Sequence, residues 1–200
     1  MGVEPLPFSG GPVHAFVFWG AFCLWLAVET IGSRTKQSDD NSKAHDKDSL
    51  TLIKFLFCFA LGFDFALFFL LPRAAIVWER SLLFWTGIIL MNAGLALRLY
   101  SMSVLGQFFT YDVAIHTGQT VVETGPYRFI RHPSYTGALL AVLGVGLAIG
   151  NWAGLVVLFG LMAVAYTYRI QVEETVLTEA LGESYEEYKR RTKRLIPFVL

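Results

Sequence analysis

Two stretches of the chain hold residue types and spacings that could do chemistry. The first is GPYRFIRHPSYTG, Gly125 to Gly137. Pro133 suits the first position of a helix, where its missing N–H is no loss, and it pushes His132 out of helical geometry. Arg131 and His132 therefore stand at the N-terminal mouth of a helix, where the positive end of the helix dipole also points. An anionic group such as a carboxylate is well held there. Tyr135 falls in the first turn, and Gly137 leaves room for a ligand or a backbone. The plain alternative is a membrane-entry anchor, with arginine snorkelling and tyrosine in the interfacial belt. The second stretch is RIQVEETVLTEALG, Arg169 to Gly182. On a helix, Ile170, Glu173, Leu177 and Leu181 share one face. Glu173 interrupts that apolar stripe, so it either pairs with Arg169 one turn earlier or faces a cation. Glu174 projects about 100° away. Here the plain alternative is a solvated, salt-bridged surface helix.

The elements that must position these residues are apolar. Of 200 residues, 54% are hydrophobic and only 16% charged, against about 25% charged in soluble domains. This composition predicts an all-α integral membrane protein of one folding unit. A span needs about 20 apolar residues. Candidates run from Val13 to Ile31, Leu50 to Leu71 and Leu82 to Met102, followed by one block from Thr136 to Tyr168 broken at Gly150, Asn151 and Trp152. That block reads as a helical hairpin of two short legs, which makes about five spans. An amphipathic, then strongly basic, C-terminal helix follows. The division expected is a three-span region over 1–102 and a chemistry-bearing region over 103–200. No removable signal peptide is in view at the N-terminus, and the first apolar run reads as a retained span.

Several features exclude other classes. The formal net charge is zero, so there is no field for nucleic acid. Cys23 and Cys58 lie in apolar runs, and the four histidines are scattered, with no metal-ligand spacing. GVGLAIG lies inside a span and serves helix packing rather than a dinucleotide. Asp64 and Asn92 are expected to hydrogen-bond between helices. Arg98 snorkels or faces the site, and EEYKRRTKR reads as solvated or touching lipid headgroups. Lysine and arginine counts set the orientation. One side receives Arg34, Lys36, Lys43, Lys47, Arg128, Arg131 and the basic C-terminus, and the other receives Arg73 and Arg80. The first side is expected to be cytoplasmic, with the N-terminus outside.

A basic mouth suited to an anion thus faces a helix with two carboxylates suited to a cation. A ligand with both signs of charge fits, and S-adenosylmethionine is one. At these residues the chain resembles the isoprenylcysteine carboxyl methyltransferase family, whose pattern extends to phospholipid methyltransferases. R-H-P-x-Y-x-G, then R-x-x-x-E-E-x-x-L, then G-x-x-Y-x-x-Y and a final L-x-P-F carry the resemblance over roughly the last 80 residues, with weaker support from LRLYSMSVLGQFF. It implies a multi-pass methyltransferase that uses S-adenosylmethionine in a cytoplasmic pocket, in the inner membrane of a prokaryote or the endoplasmic reticulum of a eukaryote. Tyr127, His132, Tyr135, Glu173 and Glu174 would line the cofactor site. Arg131 and Arg169 would face the methyl acceptor or hold the cofactor. The acceptor in eukaryotic members is a prenylcysteine carboxylate; in a prokaryote without prenylated proteins it would be another lipophilic molecule, reached from the bilayer, and no metal is implied. The competing classes are a sterol-type NADPH-dependent membrane reductase, with a similar R-H-P-x-Y-x-G block, a phospholipid N-methyltransferase, and a non-enzymatic membrane scaffold.

Overall fold

Prolines bracket the apolar runs and decide where helices begin and end. The computed structural model describes residues 11–35 and 48–197. Among these lie six α-helices: α1 (Pro12–Thr35), α2 (Ser49–Leu70), α3 (Arg80–Leu105), α4 (Pro133–Ile149), α5 (Trp152–Leu181) and α6 (Glu183–Arg191). Pro12 and Pro133 open helices, and Pro72 follows the end of α2. No β-strand forms among the described residues, only two isolated bridges. Four helices, α1, α2, α3 and α5, are long and apolar enough to cross a membrane. At 17 residues α4 is shorter, about 26 Å at 1.5 Å per residue, against about 30 Å of hydrocarbon. The 30 residues of α5 form one unbroken helix, about 45 Å long, which carries Arg169 to Leu181 past the apolar part of the bundle. Lys36, Lys43 and Lys47, used in the orientation argument, lie outside the described residues.

The turn between α4 and α5 falls where the break was expected. Gly150 adopts φ 84° and caps α4, a left-handed conformation that costs glycine nothing. Asn151 then caps α5, its Oδ1 accepting from the Gly154 N–H at 3.1 Å. Its Nδ2 donates to the carbonyls of Leu67 and Leu71 at 3.3 Å each. The Ile76 N–H donates to the Gly150 carbonyl at 2.8 Å. The tip is thereby sealed against the end of α2. The two legs then part company: α4 packs chiefly on α3, and α5 chiefly on α2. Glycines set the first of these seams. A Cβ added at Gly94 would lie 2.4 Å from the Gly137 carbonyl oxygen, and one at Gly144 would lie 2.5 Å from that of Gly87. Backbones this close leave no room for side chains.

By contrast, α1 is peripheral. It packs along α3 and meets α2 through the ring pairs Trp19–Phe65 and Trp25–Phe57, 6.0 and 5.0 Å between centroids. Only 17% of its apolar window is buried, against 44% for α5. Two polar residues inside spans depart from expectation. The Asn92 amide donates to the Ile88 carbonyl of its own helix at 2.8 Å. It faces outward, and no other helix among the described residues partners it. Asp64 is fully buried against Gly154, and neither of its oxygens has a hydrogen-bond partner.

Candidate active site

The mouth of α4 is held open and rigid by backbone pairing with the C-terminal tail. His132 caps the helix with φ −124° and Pro133 follows at the first position, as its ring demands. The N–H groups of Arg131 and His132, which the helix leaves over, donate to the carbonyls of Lys193 and Arg194 at 2.8 and 3.0 Å. Thr136 Oγ1 donates to the Leu195 carbonyl at 2.7 Å. Side chains reinforce the pairing. Arg131 Nε donates to Glu174 Oε1 at 2.8 Å, and its Nη1 reaches the carbonyls of Thr192 and Lys189. Arg194 donates through Nε and Nη2 to Glu174 Oε2 at 3.0 and 2.8 Å, so it pairs with α5 while half of its side chain stays exposed. His132 Nε2 stands 3.3 Å from Glu174 Oε1. Glu174, 4% exposed, is therefore engaged through both oxygens.

Glu173, about 100° round α5 from Glu174, opens onto a cavity of about 580 Å³. Its Oε2 accepts from the Tyr135 hydroxyl at 2.6 Å and lies 3.7 Å from His132 Nδ1. Arg169 does not pair with Glu173 directly: its Nε donates to the same Tyr135 oxygen at 3.0 Å, so the hydroxyl relays between them. The rest of its fork reaches Ser49 Oγ at 2.7 Å and the Tyr111 carbonyl. The His132 and Tyr135 rings stack with centroids 5.5 Å apart. Tyr127 lines the cavity too, and the Tyr188 hydroxyl donates to its backbone carbonyl at 2.7 Å. Burial raises the Tyr127, Tyr185 and Tyr188 phenols above the ordinary range and pushes Tyr111 up to about 12 against the pull of Arg98. All four are thus neutral at physiological pH.

The structure brings Arg131, His132, Tyr135, Arg169, Glu173 and Glu174 together, with Tyr127 alongside. All but Glu174 line the cavity. Two residues that sequence reasoning left out, Glu29 and Tyr111, complete the wall. Glu29 of α1 is in bidentate contact with Arg98 of α3, including Nη2 to Oε2 at 2.9 Å. Arg98 Nη1 donates to Ser134 Oγ at 2.8 Å, and its guanidinium sits 5.5 Å from the centre of the Tyr111 ring. Ser49, also left out, lies outside that wall and accepts from Arg169 within it. Glu29 carried a signal, a lone acid inside an apolar helix. Towards the membrane the cavity is walled by Trp25, Ile53, Phe57 and Met162. One end is therefore greasy, the other carries Glu173 and His132, and a belt of arginine, tyrosine and serine divides them. Such a space is of the size and character of small-molecule sites.

An all-helical membrane chain with this cavity falls in a known class. The phospholipid methyltransferase family model matches residues 82–184, more than half of the chain. The chain belongs to that family. The Schizosaccharomyces pombe protein-S-isoprenylcysteine O-methyltransferase is 32% identical over 108 residues, covering 53% of this chain and 46% of the relative. The Saccharomyces cerevisiae enzyme of the same name is 32% identical over 115 residues, 56% of this chain and 48% of the relative. A probable protein-S-isoprenylcysteine O-methyltransferase of Oryza sativa subsp. indica is 27% identical over 132 residues, 65% and 68% of the two chains. The chain thus spans about half the length of the two yeast relatives. The solved structure of a eukaryotic intramembrane Ras methyltransferase, isoprenylcysteine carboxyl methyltransferase, superposes with a TM-score of 0.57 at 22% identity, covering 73% of this chain and 52% of that one. It shares the fold.

Proposed function

We propose that this chain is a multi-pass membrane methyltransferase that transfers the methyl group of S-adenosylmethionine to the carboxylate of a lipophilic acceptor of the prenylcysteine type. The observation that carries the reading is the single cavity that joins an apolar chamber at α1 and α2 to the pair Glu173 and His132. The relatives' names point to the same chemistry.

The residues at the polar end fit this cofactor. Glu173, with 28% of its side chain exposed, offers a carboxylate to a cationic group, and the neutral phenols of Tyr127 and Tyr185 offer hydrogen bonds and ring faces. When bound, S-adenosylmethionine supplies an electrophilic methyl carbon whose transfer to a carboxylate oxygen leaves a neutral thioether. Tyr135 and His132 set the orientation of Glu173, while Arg131 and Glu174 hold the mouth of α4 in place around it. Arg169 and Arg98 stand in the dividing belt, where a carboxylate arriving from the greasy end is aimed by guanidinium forks. A carboxylate is already ionised at pH 7, so no general base is needed. What the protein supplies is positioning and exclusion of water. The 1–102 region contributes Trp25, Ile53, Phe57, Glu29 and Arg98 to the wall and Ser49 as a partner of Arg169; the 103–200 region contributes the rest.

Five crossings place the basic ends of α1 and α4 and the C-terminal tail on the cytoplasmic side. A cysteine at Lys193 should then resist an impermeant maleimide added to intact cells, while one at Glu79 should react; the reverse pattern would overturn the orientation. For the reaction, labelled S-adenosylmethionine is given with a synthetic prenylcysteine and, separately, with a membrane lipid extract. Label in the base-labile methyl ester of the prenylcysteine supports the reading. Label in phospholipid amine alone would make the chain an N-methyltransferase, and tight NADPH binding in place of S-adenosylmethionine would make it a reductase.

A further inference from the structure

Glu29 is the only acidic residue of α1, and it lies in the cavity wall on a buried arginine. The Arg98 guanidinium is fixed from elsewhere: Nη1 is held by Ser134 Oγ at 2.8 Å and the Ser134 carbonyl at 3.3 Å, and the Tyr111 ring stands beside it. Its two-pronged edge, Nε and Nη2, is filled by the Glu29 carboxylate. So the fork is pre-shaped by α3 and α4, while its occupant comes from the least buried of the four long helices. Arg98 has 6% of its side chain exposed and Glu29 has 22%. One turn before Glu29, Trp25 packs edge-on against Phe57, and both rings line the apolar chamber. A lipid chain lying there would bring its head group to this fork.

We propose that Glu29 is the resting occupant of the acceptor-carboxylate site, displaced when the acceptor's carboxylate takes the Arg98 fork and restored once that carboxylate is methylated. This rests on the carboxylate-methylation reading above. The driving logic is charge conservation. A buried guanidinium stripped of its anion is costly, so the fork must hold one carboxylate at every stage. Substrate and Glu29 each satisfy it, and the exchange leaves the net charge of the pair unchanged. Lys54 and Arg34, which line the same cavity, give the displaced Glu29 somewhere to turn. Methylation forms an O–CH3 bond as the donor's S–CH3 bond breaks with its electron pair left on sulfur, and no proton is exchanged. The ester has lost its charge and holds the fork poorly, so Glu29 reclaims it and the product is expelled towards the lipid. The Arg98 fork thereby selects anionic acceptors over their esters, and Glu29 keeps it charge-balanced between turnovers.

The test is equilibrium binding of N-acetyl-S-farnesylcysteine and of its methyl ester to the full chain in nanodiscs, without cofactor. Glu29→Gln empties the fork of its competitor, so the acid should bind at least about fivefold tighter than to the wild type, with ester affinity within about twofold. Its acceptor KM should fall in parallel. Acid affinity that is unchanged or weaker in Glu29→Gln, or no binding of the acid to the wild type, would overturn the proposal. Should Glu29→Gln fail to fold, the neutral pair Glu29→Gln with Arg98→Gln, which buries no charge at this point, decides it. That variant should bind acid and ester alike, and a wild-type preference retained in it would sink the exchange. Methyl transfer by the wild type is scored separately: acid binding without methylation would discredit the catalytic reading, while methylation without tighter binding in Glu29→Gln would discredit only the role of Glu29.

Discussion

The tail crossing at the mouth of α4 and the wall of the cavity lie on adjacent faces of α5, and each is built around one of two consecutive glutamates. On the tail side, Glu174 meets Arg131, His132 and Arg194. On the cavity side, Glu173 accepts from Tyr135 and has His132 nearby. A carboxylate has about four acceptor positions. Glu174 spends its positions within the protein and pins three chain segments together. Glu173 keeps most of its own available. The difference teaches that saturation, not proximity to the site, separates a group that builds a pocket from one that can serve a ligand. Both arginines line the cavity, but their partners differ: Arg131 is tied to the tail by the carbonyls of Lys189 and Thr192, and Arg169 is held by Tyr135, Ser49 and the Tyr111 carbonyl.

The contrast is broken most strongly at Glu174. Glu174→Gln leaves the buried Arg131 without its anion, and losing one partner of a buried pair typically costs about 3–5 kcal/mol. Because Arg194 is half-exposed and can turn to water, the lower end of that range is expected. Thermal unfolding in detergent should show it as a clear drop in midpoint; an unshifted midpoint would mean the tail is not held by this network. Glu173→Gln is the opposite case. It should leave the unfolding midpoint almost unchanged and weaken S-adenosylmethionine binding by about 1.5–3 kcal/mol, the range for hydrogen bonds to charged groups. Equal effects of the two variants on both measurements would erase the distinction.

A smaller effect is expected from lysine at the arginines. Lysine preserves charge but not the planar fork. Arg169→Lys cannot hold Tyr135, Ser49 and the Tyr111 carbonyl together, and displacement on the order of 1 Å costs up to about 100-fold in rate. Turnover should fall at least about tenfold with cofactor affinity nearly intact. Arg131→Lys should also lose about tenfold in turnover, but with weaker cofactor binding, because the tail and the mouth of α4 shift together. Wild-type turnover in both variants would return these residues to the role of membrane anchors.

How much of this was legible in the sequence follows from the range of each interaction. The mouth of α4 was legible because Pro133 acts on its own neighbours, and the turn at Gly150 and Asn151 because glycine and asparagine cap locally. The shared face of Ile170 and Glu173 followed from helical period. The different fates of Glu173 and Glu174 did not, since Arg194, twenty residues on, selects between them only after the tail folds back. Nor did the Glu29–Arg98 contact, which joins residues 69 apart across two helices. Pairing of an intramembrane acid with one of several arginines depends on which helices touch, and apolar spans all look alike in composition. The parting of α4 from α5 was hidden for a related reason: glycines at 87, 94, 137 and 144 matter through the partner they face.

The smallest expected effect sharpens the account of the latch. Arg194 donates two hydrogen bonds to Glu174 Oε2, yet 48% of its side chain is exposed. Water and salt screen such a group, and pairs of this kind are worth about 0–1 kcal/mol. Glu174 retains Arg131 and His132 when Arg194 is replaced, so no buried charge is orphaned. The backbone bonds from Arg131 and His132 to the carbonyls of Lys193 and Arg194 also persist, since they do not depend on the side chain. Arg194→Gln should therefore lower stability by no more than about 1 kcal/mol, with the loss shrinking as salt is raised, and should leave turnover within about twofold. A loss as large as that of Glu174→Gln would mean that the exposed arginine, rather than the buried Arg131, ties the tail to α5, and the order of importance within the latch would be reversed.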